Sequence, residues 1–403
     1  MSERKRHIVL ITNWFPPKQG VAVARMLGFV RYLDAEKNSC TVLTDGEEDA
    51  TLSSKWKIIR VNTNAGLSKL KFKAGESKFI HLSKVAWNVA LSRLSGTTDH
   101  RWANLAAAEL EKIHQSHPID CIISSYAPSA THLAAWHFCK RHPEIKWIAD
   151  MRDEMSLNPH LPSRERKELA KIEKLVNERA NACTSVSSPI LEDFKNLLPG
   201  VTSFEEIRNG FDHNESFPYQ FNEVFTISYA GTFYGAIKPD TFFEGLQLFL
   251  RKHPVPVNLQ FVGTHRNFHL PEAFRKVSTF LPRCTAREAL EWMAAADANL
   301  LLLPKINRRG VYSGKIFEYI SVLKPVIAAV NPSDVAADLI RELNAGFVAD
   351  FSQPEEISKA IASAYYLWSD KKEMPSDSGK VQLLHRKYQV ERLEKLINKL
   401  VSI

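Results

Sequence analysis

Two successive series of short apolar runs, each run followed by a loop and an amphipathic stretch, leave this chain few folds to choose from. The first series is HIVLIT (7–12), CTVLT (40–44), KIIRV (57–61), IDCIISS (119–125), IKWIAD (145–150) and NACTSVS (181–187). Helical patterns at about 21–33, 80–95, 101–116, 129–140 and 164–180 interleave with it. The second series has strand patterns near 225–230, 257–262, 299–303, 325–330 and 346–350, again with helical patterns between them. Apolar runs this short, without polar alternation, need cover on both faces, which parallel strands with crossover helices supply. The spacing therefore predicts an α/β fold with two doubly wound, Rossmann-like sheets.

A chain of 403 residues exceeds what one core usually supports, in keeping with two domains. The boundaries read as 1–212 and 213–385, followed by a last helix in 386–403. The polar, aromatic, proline-containing stretch 209–223 reads as the linker. Ser352-Gln-Pro-Glu355 has the form of a helix capping box, and 62–78 reads as a long polar loop.

Composition narrows the class. Hydrophobic residues make up 44% and charged residues 24%, ordinary for a globular protein. No apolar run reaches the roughly 18 residues that a membrane helix needs, and the start of the chain lacks the pattern of a signal peptide, so a cytoplasmic location is expected. The five cysteines are scattered, with no C-x-x-C pair, and read as reduced core residues rather than zinc ligands. The net charge of +8 suits an anionic partner: nucleic acid, an anionic membrane surface or an anionic substrate. No nucleic-acid-binding motif accompanies it, so no nucleic-acid partner is expected.

The most specific stretch is SGKIFEYISVLKPVIAAV (313–330). Lys315 and Glu318 stand at i and i+3 and share one face near the start of a short helix. Unpaired N–H groups and a partial positive charge make the end at Ser313 and Gly314 suitable for a phosphate. A carboxylate one turn further in can accept hydrogen bonds from a ribose diol. The stretch resembles the donor-site segment of family 4-type GT-B glycosyltransferases, of a bacterial polysaccharide-biosynthesis subgroup.

Other segments extend the resemblance over nearly the whole chain. Arg208-Asn-Gly-Phe-Asp212 resembles the family's domain-junction box. Gly231 and Thr232 with Lys238 resemble its first donor-domain loop, although no arginine occupies that loop. Gly263 would let backbone approach the nucleobase, and Arg283 would stand at the pocket's edge. In the first half, Gly20 resembles a glycine that admits the diphosphate. His132 resembles a histidine facing the reacting sugar. Asp150, Arg152 and Asp153 resemble a motif on the acceptor side. One position departs: the first of the family's two donor-site glutamates falls on Gly310.

The resemblance implies two Rossmann-like domains facing a cleft, with the last helix crossing back to the first. It implies a glycosyltransferase that moves a sugar from a nucleotide sugar to a lipid-linked or saccharide acceptor, retaining and without a metal or other cofactor. Catalytic roles would fall to His132, Lys238, Lys315 and Glu318. Gly310 keeps open a catalytically weak binding subunit, and an inverting enzyme or sugar-nucleotide epimerase shares the sheet pattern. The basic loop of Lys69, Lys71, Lys73 and Lys78, interleaved with Leu70, Phe72 and Phe79, suits peripheral contact with an anionic membrane.

Overall fold

The computed structural model describes residues 4–46, 56–62, 83, 99–233, 235–264, 267–305 and 307–401. The helix expected at 80–95, most of the loop expected at 62–78 and its four lysines lie outside the described residues. The chain divides into two compact units, Met1–Ile207 with Val390–Ile403, and Arg208–Gln389.

The first unit runs β1 (Arg6–Ile11), α1 (Val21–Tyr32), β2 (Asn38–Thr44), β3 (Lys57–Arg60), α2 (His100–Ser116), β4 (Cys121–Ser125), α3 (Ala130–Cys139), β5 (Lys146–Arg152), α4 (Ser163–Arg179), β6 (Ala182–Ser185), α5 (Ser188–Leu197) and β7 (Ser203–Glu206). Its seven-stranded sheet has the order β3-β2-β1-β4-β5-β6-β7, with every pair parallel. Residues on β1 alternate between two cores. Val9 and Ile11 join the core beneath α2, α3 and α4, while Ile8 and Leu10 join Met26, Phe29, Val390, Leu393 and Ile397 on the other face. The last helix, α12 (Arg386–Val401), therefore buries its apolar residues from Val390 onward in the core of this unit.

The second unit contains β8 (Phe225–Ala230), α6 (Asp240–Lys252), β9 (Val257–Val262), β10 (Ser278–Leu281), α7 (Ala286–Ala295), β11 (Ala298–Leu302), α8 (Gly314–Ser321), β12 (Val326–Val330), α9 (Val335–Glu342), β13 (Gly346–Asp350), α10 (Pro354–Ser369) and α11 (Ser378–Gln382). Its parallel sheet has the order β10-β9-β8-β11-β12-β13. Strand β12 is sided in the same way, with Val326, Ala328 and Val330 in one core and Ile327 and Ala329 in the other.

Several local expectations need correction. The stretch 209–223 is not a free linker but part of the second unit. Phe211 bridges to His385, Asn222 bonds Asp297, and Lys324 lies 3.9 Å from the centroid of the Tyr219 ring. The capping box at 352–355 does not form. The Ser352 hydroxyl bonds Asp350 instead, and α10 has no side-chain cap. A capping box does form at Thr285 and Glu288, ahead of α7. Strands β7 and β10 and helix α5 were not anticipated. Among the described residues no helix is long and apolar enough to cross a membrane.

Candidate functional site

In an open parallel sheet, ligands bind beyond the carboxyl ends of the strands, where the strand order reverses. In the second unit that point lies between β8 and β11. Strand β8 ends at Ala230 and leads into Gly231, and β11 ends at Leu302 and leads through 303–313 into α8. The sequence thus delivers Gly231 and the start of α8 to one place.

Gly231 has φ +110°, and its N–H donates to the Val262 carbonyl at 2.8 Å. Its carbonyl accepts from the Thr264 hydroxyl at 2.5 Å. The Lys315 ammonium reaches into the space that its missing side chain leaves. A β-carbon at residue 231 would stand 2.8 Å from Lys315 Nζ and 2.7 Å from Cε. Lys315 Nζ donates to the Tyr229 hydroxyl at 2.7 Å and sits 4.1 Å from the centroid of that ring. Among the described residues no carboxylate pairs with it. Burial brings the ammonium down to about 8.

Helix α8 begins after Ser313, whose side chain makes no cap hydrogen bond. The first N–H groups of the helix are therefore not satisfied by a side-chain cap. One turn on, the Glu318 carboxylate makes no hydrogen bond among the described residues. Burial pushes it up to about 7, opposed by Arg386 and assisted by Asp212. Tyr319 is buried, and its hydroxyl accepts from the Ala230 N–H at 2.8 Å, tying α8 to the end of β8.

The junction box is held by Arg386. Its guanidinium donates to the carbonyls of Asn209 (2.9 Å) and Gly210 (2.8 Å) and pairs with Asp212 at 3.2 Å. Gly210 has φ +68°, and a β-carbon there would strike the Leu384 carbonyl oxygen. At Gly310, where a glutamate was missed, the backbone N–H donates to Asp334 at 2.8 Å, and Asp334 also caps α9.

The remaining expected donor residues are more scattered. Gly263, φ +65°, stands beside Arg283, whose Cα lies 3.8 Å from where a β-carbon on residue 263 would be. Arg283 is exposed. Thr232 and Lys238 are exposed in the loop between β8 and α6, and Lys238 makes no ion pair among the described residues.

In the first unit, Gly20 is exposed at the start of α1 with φ +124°. His132 is 0% exposed, so it stands in the core rather than open to a sugar. Its Nδ1 is 2.7 Å from the Ser124 hydroxyl, which itself accepts from Trp147 Nε1 at 2.7 Å. Burial lowers the ring to about 4, so it is neutral. Its Nε2 has no partner among the described residues.

Asp150, expected on the acceptor side, is also fully buried, and its oxygens are already committed. Arg25 binds it through two nitrogens at 3.1 and 2.7 Å, and the hydroxyls of Ser125 and Thr184 donate to it. It is a structural counter-ion. Arg152, at φ +56°, pairs only loosely with Asp153 at 3.3 Å.

Sequence reasoning missed Tyr229, Thr264, Tyr319 and Asp334 as parts of this arrangement. Tyr319 stood inside the quoted stretch 313–330 and Tyr229 in the strand pattern near 225–230, but nothing in a linear pattern says where a hydroxyl points.

No family profile matches the chain, and no curated protein does. Solved structures do. The chain is similar to sucrose-phosphate synthase from Thermosynechococcus elongatus, with 15% identity, TM-score 0.64, and coverage of 99% of this chain and 100% of that one. It is similar to the lipopolysaccharide outer core galactosyltransferase WaaB, with 13% identity, TM-score 0.64, and coverage of 98% and 99%. It is similar to Anabaena HepE, solved with UDP and glucose, with 14% identity, TM-score 0.59, and coverage of 98% and 99%. Two parallel-sheet units matched along nearly the full length of such enzymes give this chain the fold of the GT-B glycosyltransferases.

Proposed function

We propose that the chain is a glycosyltransferase whose second unit binds a nucleoside-diphosphate sugar at the switch point of its sheet. One observation carries the reading: the half-buried Lys315 ammonium, free of any carboxylate among the described residues, lies against Gly231 beside the start of α8, which has no side-chain cap. A diphosphate placed there would meet a cation and backbone N–H groups together. Glu318, one turn in, would accept from the ribose hydroxyls. As the bond between sugar and diphosphate breaks, negative charge grows on the diphosphate, and fixed donors lower that barrier. Lys315 and the helix end are fixed in this way, and Lys238 would add a solvated charge.

The finer reading is a retaining transfer to a saccharide or lipid-linked acceptor in polysaccharide biosynthesis, with the charge stabilisation supplied by the chain rather than by a divalent ion. The solved HepE complex with UDP and glucose supports the donor class by likeness. Peripheral contact with an anionic membrane through Lys69, Lys71, Lys73 and Lys78 rests on the net charge of +8 and the basic, aromatic pattern. Vesicle co-sedimentation that requires anionic lipid and falls with salt supports it; equal binding to neutral vesicles overturns it.

Gly310 favours a second reading, a GT-B-like binding subunit without transfer, because a backbone turn tied to Asp334 stands where a donor-site glutamate would be. One experiment separates the readings. UDP, GDP and ADP are screened by thermal shift with and without EDTA, and the tightest binder's sugar conjugates are tested for hydrolysis and transfer. Stabilisation with turnover supports the enzyme, and stabilisation without turnover supports the binding subunit. No shift at millimolar nucleotide overturns both.

A further inference from the structure

We infer that Tyr229 is the positioning residue for Lys315, holding the ammonium in place for the diphosphate and keeping it charged. This rests on the proposed donor site and adds a residue to it. Tyr229 is a buried strand residue, yet its hydroxyl stands between two loops that the donor must meet. It accepts from Lys315 Nζ at 2.7 Å and lies 3.3 Å from the Thr232 carbonyl oxygen. A phenol has one proton. The carbonyl can only accept, so the proton goes there, and an oxygen lone pair is left facing the ammonium. The direction of both bonds is thereby fixed.

The ring contributes as well. It lies 4.1 Å below the ammonium and stacks on Phe233 at 4.2 Å with the planes 10° apart. Its position is set by packing rather than by the lysine. A four-carbon lysine side chain has many rotamers in an open site. Here the missing β-carbon of Gly231 gives it a slot and the Tyr229 oxygen ends that slot.

The arrangement answers a chemical need. A half-buried ammonium without a counter-ion holds its proton less tightly, and desolvation already brings Lys315 down to about 8. A carboxylate partner would keep the charge but neutralise the site for an anion. A hydroxyl oxygen and a ring face stabilise the cation while leaving it free to pair with a diphosphate. A phenylalanine in this position would keep the stacking and lose the acceptor.

The test uses the full chain with wild type, Tyr229→Phe and Lys315→Gln. UDP, GDP and ADP are titrated calorimetrically, and the tightest is followed from pH 6.5 to 9.5. Wild-type affinity is expected to weaken as Lys315 deprotonates. Tyr229→Phe is expected to bind about tenfold more weakly at pH 7.5, with the alkaline midpoint moved down by about one pH unit. Its affinity for the matching nucleoside, which lacks phosphate, should stay at the wild-type value. Lys315→Gln should abolish the alkaline limb. A purely structural Tyr229 would lower Tm without moving the midpoint. An unmoved midpoint in Tyr229→Phe overturns the inference, as does an alkaline limb that persists in Lys315→Gln. If Tyr229→Phe does not fold, Tyr229→Leu takes its place: a midpoint moved down supports the inference, and an unmoved midpoint overturns it. Absence of nucleotide binding by wild type overturns the donor-site reading itself, which is a different result.

Discussion

The ammonium of Lys315 occupies the place where residue 231 would carry a side chain if it were anything but glycine. A β-carbon there would stand 2.7 Å from Cε and 2.8 Å from Nζ. The backbone at Gly231 is also in the left-handed region, φ +110°. Gly231→Ala should therefore act in two ways. The backbone strain should cost on the order of 1 kcal/mol of stability. The methyl should push the lysine tip away and weaken nucleoside-diphosphate binding about tenfold or more. Chemical denaturation and calorimetric titration read the two effects separately. Wild-type affinity in the alanine variant would show that the slot does not position the lysine.

Glu318 gives a pH dependence whose sign can be worked out. Burial raises its carboxyl from the ordinary 4.5 to about 7. The folded protein then holds a proton that the unfolded chain has released, so stability falls as pH rises from 4.5 through 7. Glu318→Gln removes this penalty and should be more stable than wild type at pH 8, by on the order of 1–3 kcal/mol, with little difference at pH 5. If the carboxylate accepts from a ribose, each charge-assisted bond is worth about 1.5–3 kcal/mol, and the same variant should lose nucleotide affinity. A variant neither more stable at pH 8 nor weaker in binding would mark Glu318 as a solvated helix residue.

The order of strands and helices was legible because burial on both sheet faces forces apolar runs, as in HIVLIT (7–12) and the strand before Gly231. The strands that escaped were those at or near a sheet edge. Ser203–Glu206 and Ser278–Leu281 are short, half-buried and partly polar, so they carry little of that signal. In the candidate site, spacing on a helix singled out Lys315 and Glu318 and a strand end singled out Gly231, and the structure sets Lys315 against Gly231. Asp150 was misjudged for a physical reason. A carboxylate at a strand's carboxyl end looks the same in sequence whether it faces a ligand or a buried arginine, and Arg25 stands 125 positions away along the chain. Tyr229 was invisible as a partner of Lys315, because the contact joins two segments 86 positions apart.

His132 carries a prediction about a proton. Trp147 Nε1 can only donate, so the Ser124 oxygen accepts from it and has its own proton to give to His132 Nδ1. The ring should be the neutral Nε2–H tautomer. Burial lowers its pKa to about 4, so it should stay neutral from pH 8 down to pH 5. Nitrogen NMR of histidine-labelled protein reads both tautomer and protonation. A ring titrating near 6.5 would show that the site is wet. Ser124→Ala removes the partner of both rings and should cost about 1–3 kcal/mol.

The pair of Arg25 and Asp150 offers the sharpest stability test. Burial alone would raise the Asp150 carboxyl, but the Arg25 charge and bonds, with Ser125 and Thr184, hold it below the ordinary 3.8. The folded state thus favours the ionised form. Its contribution is present above pH 3.8 and is lost as pH falls through the depressed value. Arg25 in turn donates to the Ile207 carbonyl, at the end of the first unit, so the pair also anchors the chain there. Asp150→Asn should leave a buried guanidinium without a counter-charge and cost about 3–5 kcal/mol by chemical denaturation. Replacing both, Asp150→Asn with Arg25→Met, removes the stranded charge and should recover part of that loss. The acid sensitivity contributed by Asp150 should disappear in either variant. An Asp150→Asn protein as stable as wild type at pH 7, but defective in transfer, would return this carboxylate to the acceptor side.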